Sequence, residues 1–369
     1  VATVTRQLTR SLLLAGQAVT VLTPNDGETQ YDDGHVVSIG FGPAALRSGP
    51  VHKALVLEGR ARGFTWPLYG SYLRAVHRSL VRLDVRPDLV VVANDPELAV
   101  RLHRWGVGGR QVLWLHNRLE GREARQLRNL PDAIVVVAVS ESVRRWTADT
   151  YGLAADSIRV IHNGIDGAEF HPRAGYRTPH APLRVVTHGR VDPNKGHLTA
   201  ARAVALLRRR GLPVEFTLVG GVQTFGLSDS EIRRHAAEVE QAVTEAGGTW
   251  TGRVPAAEVA GILREHDVAC VLSRSPEPFS LAALEAMASG CAVITTGLGG
   301  IAEVVGDIAM RVDPDATDQV ADAIADLLGD PRLLSDRKVA SHHRSEQFTW
   351  GQAAAVVAEM VADVRGDGP

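Results

Sequence analysis

The 369-residue chain is poor in cysteine, with only Cys270 and Cys291, each in or beside an apolar run. Two such residues exclude a disulfide framework. Buried reduced thiols in a cytoplasmic protein are expected, and a single Cys270–Cys291 bridge is the weaker alternative. Net charge is scarce as well: 40 Lys and Arg nearly balance 42 Asp and Glu, for a formal charge of −2. That balance excludes a nucleic-acid partner recruited by bulk charge. No uninterrupted apolar stretch is long enough to span a bilayer, so stable membrane insertion is not expected. Neither H-E-x-x-H nor C-x-x-C occurs, so no metal ligands are assigned. The missing G-x-S-x-G elbow weakens an α/β-hydrolase reading. The chain starts at Val1 rather than Met, and what precedes it, a targeting segment included, is left open.

What is present is the composition of a globular enzyme, with 45% hydrophobic and 22% charged residues. The length suffices for two domains with large cores. The preference for arginine over lysine and the abundance of alanine reflect a GC-rich genome more than a function. Strand–helix alternation runs from end to end. A helix is expected over 2–16 and a strand over 18–22, then a polar loop rich in Gly and Asp and a helix over 67–83. Buried strands follow at 89–93, 112–115 and 133–139. The segment 171–183 is broken by Pro172, Pro179 and Pro182, with Gly175 between, and reads as a linker. A second series begins there: strands at 183–187, 214–219, 268–272 and 292–295, and helices at 198–210, 228–246, 280–289 and 317–328. Such alternation predicts βαβ units in parallel sheets. It is compatible with one large doubly wound sheet, but the proline-rich break favours two similar domains with a cleft between them.

The most informative stretch is S-R-S-P-E-P-F-S-L-A-A-L-E-A-M-A-S-G, residues 273–290. Pro276 and Pro278 hold Glu277 in non-helical backbone. Ser280 is placed to cap a helix that runs through Leu281, Leu284 and Met287 and stops at Gly290. Glu277 therefore sits at a helix mouth, and Glu285 about a turn and a half inside. A lone carboxylate there could be a simple cap. Two of them beside free amides look more like a site for a polyol ligand carrying phosphate.

Other constellations fall on loops after strands, where open α/β sheets bind ligands. T-H-G-R-V-D-P-N-K-G, residues 187–196, puts Arg190 and Lys195 on one loop, and Gly189 permits close backbone approach. Two cations there suit a diphosphate, against the even alternative of a solvated basic turn. G-L-G-G-I-A-E, residues 297–303, could present amides to an oxyanion or be a tight turn. His116 ends the apolar strand of L-W-L-H-N, where a lone histidine is more often structural than catalytic. Asn163-Gly164 is a turn signal. The pair His342-His343 lies in a polar segment and is expected to be solvated.

In combination, G-R-x4-K (Arg190 to Lys195), E-x7-E (Glu277 to Glu285) with P-F-S-L-A-A-L-E-A-M-A-S-G inside it, and G-G-x-x-E (Gly299 to Glu303) resemble the retaining nucleotide-sugar glycosyltransferases of the bacterial group 1, or family 4, type. Residues 3–24, V-S-E-S-V at 139–143 with N-G-I-D after it, and F-T-W at 348–350 extend the resemblance over nearly the whole chain. It implies the GT-B fold, α/β throughout, with two Rossmann-like doubly wound parallel-sheet domains facing across a cleft. The implied limits are an acceptor-binding domain at 1–177, a nucleotide-sugar domain at 178–350, and a helix at 351–369 crossing back to the first. The family's opening strand and Gly-rich loop would precede the first helix, and the chain starts at or just after them. Ser280 stands where the family commonly has glycine, and Ala302 where it commonly has proline.

The resemblance implies a hexosyltransferase without cofactor or metal. Arg190 and Lys195 would stabilise the departing diphosphate, and Glu277 and His116 would contact the sugar. Glu285 would hold the ribose. Gly189 and the backbone near Phe279, Ser280 and Leu281 would hold sugar and phosphate, and Arg253 and Val254 would lie at the nucleobase. UDP is the leading nucleotide, as UDP-glucose or UDP-N-acetylglucosamine, with GDP-mannose behind. The acceptor is read as a hydroxyl of a small polar molecule, as in natural-product biosynthesis, and the assembly as a monomer or homodimer. The rival functions are a GT-B sugar-nucleotide epimerase and a catalytically silent sugar-nucleotide-binding protein.

Overall fold

The computed structural model describes residues 2–24, 35–39, 73–74, 76–78, 80–81, 87–121, 123–173, 182–223 and 227–365. The polar loop after residue 24, most of the helix expected over 67–83 and most of the proline-rich linker lie outside the described residues. Contacts divide the chain into two compact units, Val1–Gly164 with Trp350–Pro369, and Ile165–Thr349. The seam follows Asn163-Gly164.

The N-terminal unit opens with α1 (Ala2–Leu14). Val4, Leu8 and Leu12 recur at helical spacing and are buried, and α1 packs on the C-terminal helix Trp350–Arg365. Gly16, at φ 78, ends α1 in a Schellman turn, in which Gly16 and Gln17 donate to the carbonyls of Leu13 and Leu12 at 2.9 and 3.0 Å. The chain needs the next residues to leave that turn. The first strand, expected at 18–22, is therefore β1 (Thr20–Pro24), parallel to β2 (His35–Ile39). Then come β3 (Leu89–Ala93), α2 (Pro96–Arg104), β4 (Arg110–Leu115), β5 (Ile134–Ala138), α3 (Glu141–Tyr151) and β6 (Ile158–Val160). β3, β4, β5 and β6 form a parallel sheet in that order.

The second unit alternates strictly: β7 (Leu183–His188), α4 (His197–Arg209), β8 (Val214–Val219), α5 (Asp229–Glu245), β9 (Thr249–Trp250), α6 (Ala256–Arg264), β10 (Val268–Val271), α7 (Leu281–Ala288), β11 (Ala292–Thr295), α8 (Ile301–Val305), β12 (Met310–Arg311), α9 (Thr317–Gly329) and α10 (Pro331–Ser345). The strands and helices expected in this half agree with these to within a residue at each end. All six strands are parallel, in the order β12-β11-β10-β7-β8-β9. Every residue of β10 and β11 is buried, as in a sheet covered on both faces. Helices α2, α3, α6, α8 and α10 are not among those expected from the sequence. Two of them begin with the same signal, Asp-Pro. Asp95 caps Leu98 at 2.9 Å, and Asp330 caps Arg332 and Leu333 at 3.0 Å.

Cys270 and Cys291 are free buried thiols, and burial pushes each up to about 12. Beside Cys291 lies a buried ion pair. Lys338 of α10 meets Asp267, just before β10, at 3.1 Å, with side chains 4% and 0% exposed. The other carboxylate oxygen accepts the Arg184 amide of β7 at 3.1 Å. The pair thus ties α10, which packs on α7 and β11, to the two central strands. Lys338→Met takes the cation away from a buried carboxylate and should cost ~3–5 kcal/mol in urea unfolding. The double variant Lys338→Met with Asp267→Asn removes both charges and keeps a group for the Arg184 amide. It should recover more than half of that loss. A single variant as stable as the parent would show that the pair does not hold α10.

Candidate functional site

The strand order of the second unit reverses between β7 and β10, since β8 and β9 lie on one side and β11 and β12 on the other. In open α/β sheets such a switch point opens a crevice at the carboxyl ends of the strands. The loops leaving β7 and β10 are residues 189–196 and 272–280, which carry most of the residues singled out in the sequence.

The first loop is locked by backbone contacts. Gly189, at φ 125, donates its amide to Val219 at 2.9 Å, and nothing would crowd a side chain there. Gly220 has no such room: a Cβ would lie 1.8 Å from the Gly189 carbonyl oxygen. Gly220 in turn donates to Gly252 at 2.9 Å and accepts from the Trp250 indole at 2.7 Å. Arg253, exposed, and Val254, half-buried, follow directly. Arg190 is also exposed, and its carbonyl accepts from buried His197 Nε2 at 2.9 Å. Burial lowers the His197 pKa to about 4, so the ring is neutral at physiological pH.

Lys195 ends a short turn whose Asn194 amide is held by Asp192 at 2.9 Å. Gly196, at φ 70, comes so close to the end of β10 that a Cβ would meet the Leu272 carbonyl oxygen at 2.1 Å. Arg274 seals the contact by donating its amide to Asn194 at 2.8 Å. This clamp brings Lys195 Nζ to 2.6 Å from Glu277 Oε1, with the side chains 25% and 14% exposed. The Ser273 hydroxyl donates to the same oxygen.

Glu277 is held from the other side by G-L-G-G. Its amide donates to Leu298 at 3.2 Å, and its carbonyl accepts from Gly300 at 2.7 Å. A Cβ on Gly299 would lie 2.5 Å from the Glu277 carbonyl oxygen, and one on Gly300 would lie 2.2 Å from that of Pro278. Gly299 and Gly300 therefore serve close backbone packing. The Gly300 amide, a candidate for an oxyanion, is engaged by Glu277.

Ser280 caps α7 as the sequence suggests, its hydroxyl accepting from the Ala283 amide at 3.3 Å. Its backbone is at φ 104, which glycine adopts freely and serine rarely. The family's common glycine is thus explained, and the serine offers a cap in return for local strain. The amides of Leu281 and Ala282 have no acceptor within the helix. The Phe279 ring is buried edge-on against Phe348, with centroids 5.9 Å apart, so only its backbone is available to a ligand. Gly290, at φ 84, ends the helix turn as expected.

Glu285 is bonded to a residue with no role assigned from the sequence. His188 Nε2 lies 3.2 Å from Glu285 Oε2, the two side chains being 4% and 22% exposed. His188 Nδ1 is buried without a partner. The available signal was its position, the last residue of β7 directly before Gly189-Arg190.

In the N-terminal unit, His116 follows β4. Its amide donates to Asn94 Oδ1 at 2.7 Å, and its ring stacks on Trp114 at 5.3 Å. Burial lowers its pKa to about 3, and its Nδ1 is buried without a partner. It is a neutral hydrogen-bonding group rather than a cation. His342, expected to be solvated, instead bonds the Ala288 carbonyl at 3.1 Å across the end of α7. Among the described residues no group of three or more His, Cys, Asp or Glu is placed to hold a metal ion. No described helix is long and apolar enough to cross a membrane.

Residues 1–169 match the family model Glycosyltransferase Family 4, and residues 182–330 match Glycosyl transferases group 1. The chain is 31% identical to glycogen synthase of Mycobacterium tuberculosis over 63% of its own length, and the match spans only 55% of that enzyme. It is 29% identical to phosphatidyl-myo-inositol mannosyltransferase of Mycolicibacterium smegmatis, over 98% of this chain and 89% of the relative. Its fold is similar to that of a glycosyltransferase from Rickettsia africae, with a TM-score of 0.75 at 16% identity, covering 100% and 95% of the two chains. It is also similar to Anabaena HepE in complex with UDP and glucose, with a TM-score of 0.69 at 19% identity, covering 97% and 95%.

The neutral state of His197 has a thermodynamic signature. Its folded pKa of about 4 lies below the unfolded value of 6.5. Its contribution is complete above pH 6.5 and is lost as pH falls toward 4, because only the unfolded chain takes up the proton. The loss is about 3 kcal/mol over that window. Urea unfolding from pH 7.5 to 4 should show the stability gap between the parent and His197→Gln shrinking as pH falls. A gap independent of pH would contradict a neutral buried imidazole.

Proposed function

The chain belongs to the group 1 glycosyltransferases, with the GT-B fold, and we propose that it transfers a hexose or N-acetylhexosamine from a UDP-sugar to a hydroxyl of a small polar acceptor, with retention of configuration. The observation that carries this reading is the Lys195–Glu277 pair, 2.6 Å apart at the β7/β10 switch. It sets a cation and a polyol-binding carboxylate side by side where a sugar diphosphate would break. The complex of HepE with UDP and glucose favours UDP as the nucleotide.

In the proposed complex Lys195 turns from Glu277 to the diphosphate, where the exposed Arg190 joins it. Glu277 then accepts from a sugar hydroxyl, and the Ser273 hydroxyl keeps its carboxylate oriented. The backbone at Gly189 and at Phe279, Ser280 and Leu281 contributes amides to sugar and phosphate. Glu285 accepts from the ribose, steadied by His188, and the loop at Arg253 and Val254 takes the base. For His116 the proposal is a neutral hydrogen bond to a sugar hydroxyl. The acceptor oxygen bonds to the anomeric carbon on the face from which the phosphate leaves. The C–O bond to phosphate breaks, and the acceptor proton passes to the leaving phosphate oxygen. Charge develops on that phosphate, and fixed cations aimed at it are the main electrostatic help available. The reading assigns that role to Arg190 and Lys195 rather than to a metal ion.

Two measurements test the proposal. Transfer from UDP-glucose should proceed at an unchanged rate in excess EDTA and give an α-linked product by NMR coupling constant. A β product would reject retention, and loss of rate in EDTA would reject the assignment of the leaving-group charge to the two cations.

The two glutamates should fail differently. Glu285→Gln should weaken calorimetric UDP binding by at least about tenfold, since a hydrogen bond to a charged partner contributes about 1.5–3 kcal/mol. Glu277→Gln should leave UDP binding nearly unchanged and lower kcat by a similar factor. The opposite pattern would exchange the two roles.

A further inference from the structure

Behind the Lys195 turn lies a cavity of about 390 Å³ that the loops described above border. Pro193 and Gly196, on either side of Lys195, form part of its wall, together with the first turn of α4, one face of α5 and the start of α9. Three arginines line it, Arg202, Arg234 and Arg274, with His235 among them. Its carboxylates are unequally available. Asp315 is paired with Arg274 at 2.8 Å. Glu231 is engaged in the α5 cap, accepting from the Ser228 amide at 2.8 Å and its hydroxyl at 2.6 Å. Glu238 remains. Arg202 and Arg234 make no hydrogen bond or ion pair among the described residues. The cavity therefore presents two uncommitted guanidinium groups.

Three further observations agree with an anion. α4 starts at Gly196 and α9 at Ala316, and neither start is capped by a side chain. The first residues of both helices line the cavity, and those of α4 stand at its wall as amides of a positive helix end, whereas the Thr317 amide of α9 is engaged by the Asp315 carbonyl at 2.9 Å. His235 Nε2 is buried without a hydrogen-bond partner. Planar guanidinium groups on neighbouring helices match phosphate geometry, and a carboxylate beside them suits hydroxyl groups.

We propose that this cavity is a second ligand site, which binds a small phosphorylated polyol. The phosphate lies between Arg202 and Arg234 against the uncapped start of α4, and the hydroxyls reach Glu238 and His235. The site shares Pro193 and Gly196 with the β7 loop, but neither Arg190 nor Lys195 lines it.

Calorimetry on the full chain, with UDP at saturation to occupy the first site, tests it with glucose 6-phosphate, inorganic phosphate and glucose as probes. Glucose 6-phosphate should bind with one site per chain, phosphate more weakly, and glucose not at all. The double variant Arg202→Ala with Arg234→Ala should weaken glucose 6-phosphate at least about tenfold, with its melting temperature and UDP affinity unchanged. Lys195→Ala, titrated without UDP, should bind glucose 6-phosphate as the parent does. This arm stands even if UDP proves not to be the nucleotide. The proposal is overturned if glucose 6-phosphate gives no binding at millimolar concentration or if glucose binds equally well. It also fails if the double variant binds undiminished, or if Lys195→Ala abolishes the binding, which would put the anion on the β7 loop.

Discussion

Backbone meeting backbone, with no room for a methyl group, holds the site of the second unit together. At Gly196 against Leu272, Gly220 against Gly189, Gly299 against Glu277 and Gly300 against Pro278, a Cβ would come within 2.5 Å of a carbonyl oxygen. Protein interiors do not absorb such overlaps, so these four residues must remain glycine. Their contacts fasten the loops after β7, β8, β10 and β11 into one layer. Lys195 and Glu277 then have their positions decided by main chain rather than by flexible side chains. That is the arrangement expected of a site required to hold its charges in place before a ligand arrives.

The electrostatics follow the same economy. Three charged groups around the β7/β10 loops have a near partner: Lys195 has Glu277, Arg274 has Asp315, and Lys338 has Asp267. Two buried histidines work as neutral groups. His197 braces the Arg190 carbonyl, and His116 presents an unpartnered nitrogen. Neutral rings can be buried at little cost, whereas charged ones could not.

Much of this was legible in the sequence where local chemistry decides it. The strands of the second unit are β-branched runs with turn residues at both ends, and α7 carries both its cap and its stop in its own residues. Long-range contacts were not legible. Nothing local in His188 marks it as the partner of Glu285, ninety-seven positions away. G-L-G-G reads as an amide cradle or a tight turn, and only the press of the Pro276–Phe279 segment against it decides between them. The first strand was misplaced because a Schellman turn takes residues that alternation alone cannot count. Helices α2 and α10 carry local signals in their Asp-Pro starts, and these mark them in the sequence without any long-range contact.

The two thiols have a use beyond packing. Cys270 lies in the central strand β10, and Cys291 stands at the entrance to β11, both in the core of one unit. Shielded and held in the unreactive protonated form, they are silent to alkylating reagents while the sheet is closed. With no other cysteine in the 369 residues, any label the protein acquires counts openings of that one sheet. The chain thus carries its own clock for breathing of the second unit, with no engineered probe.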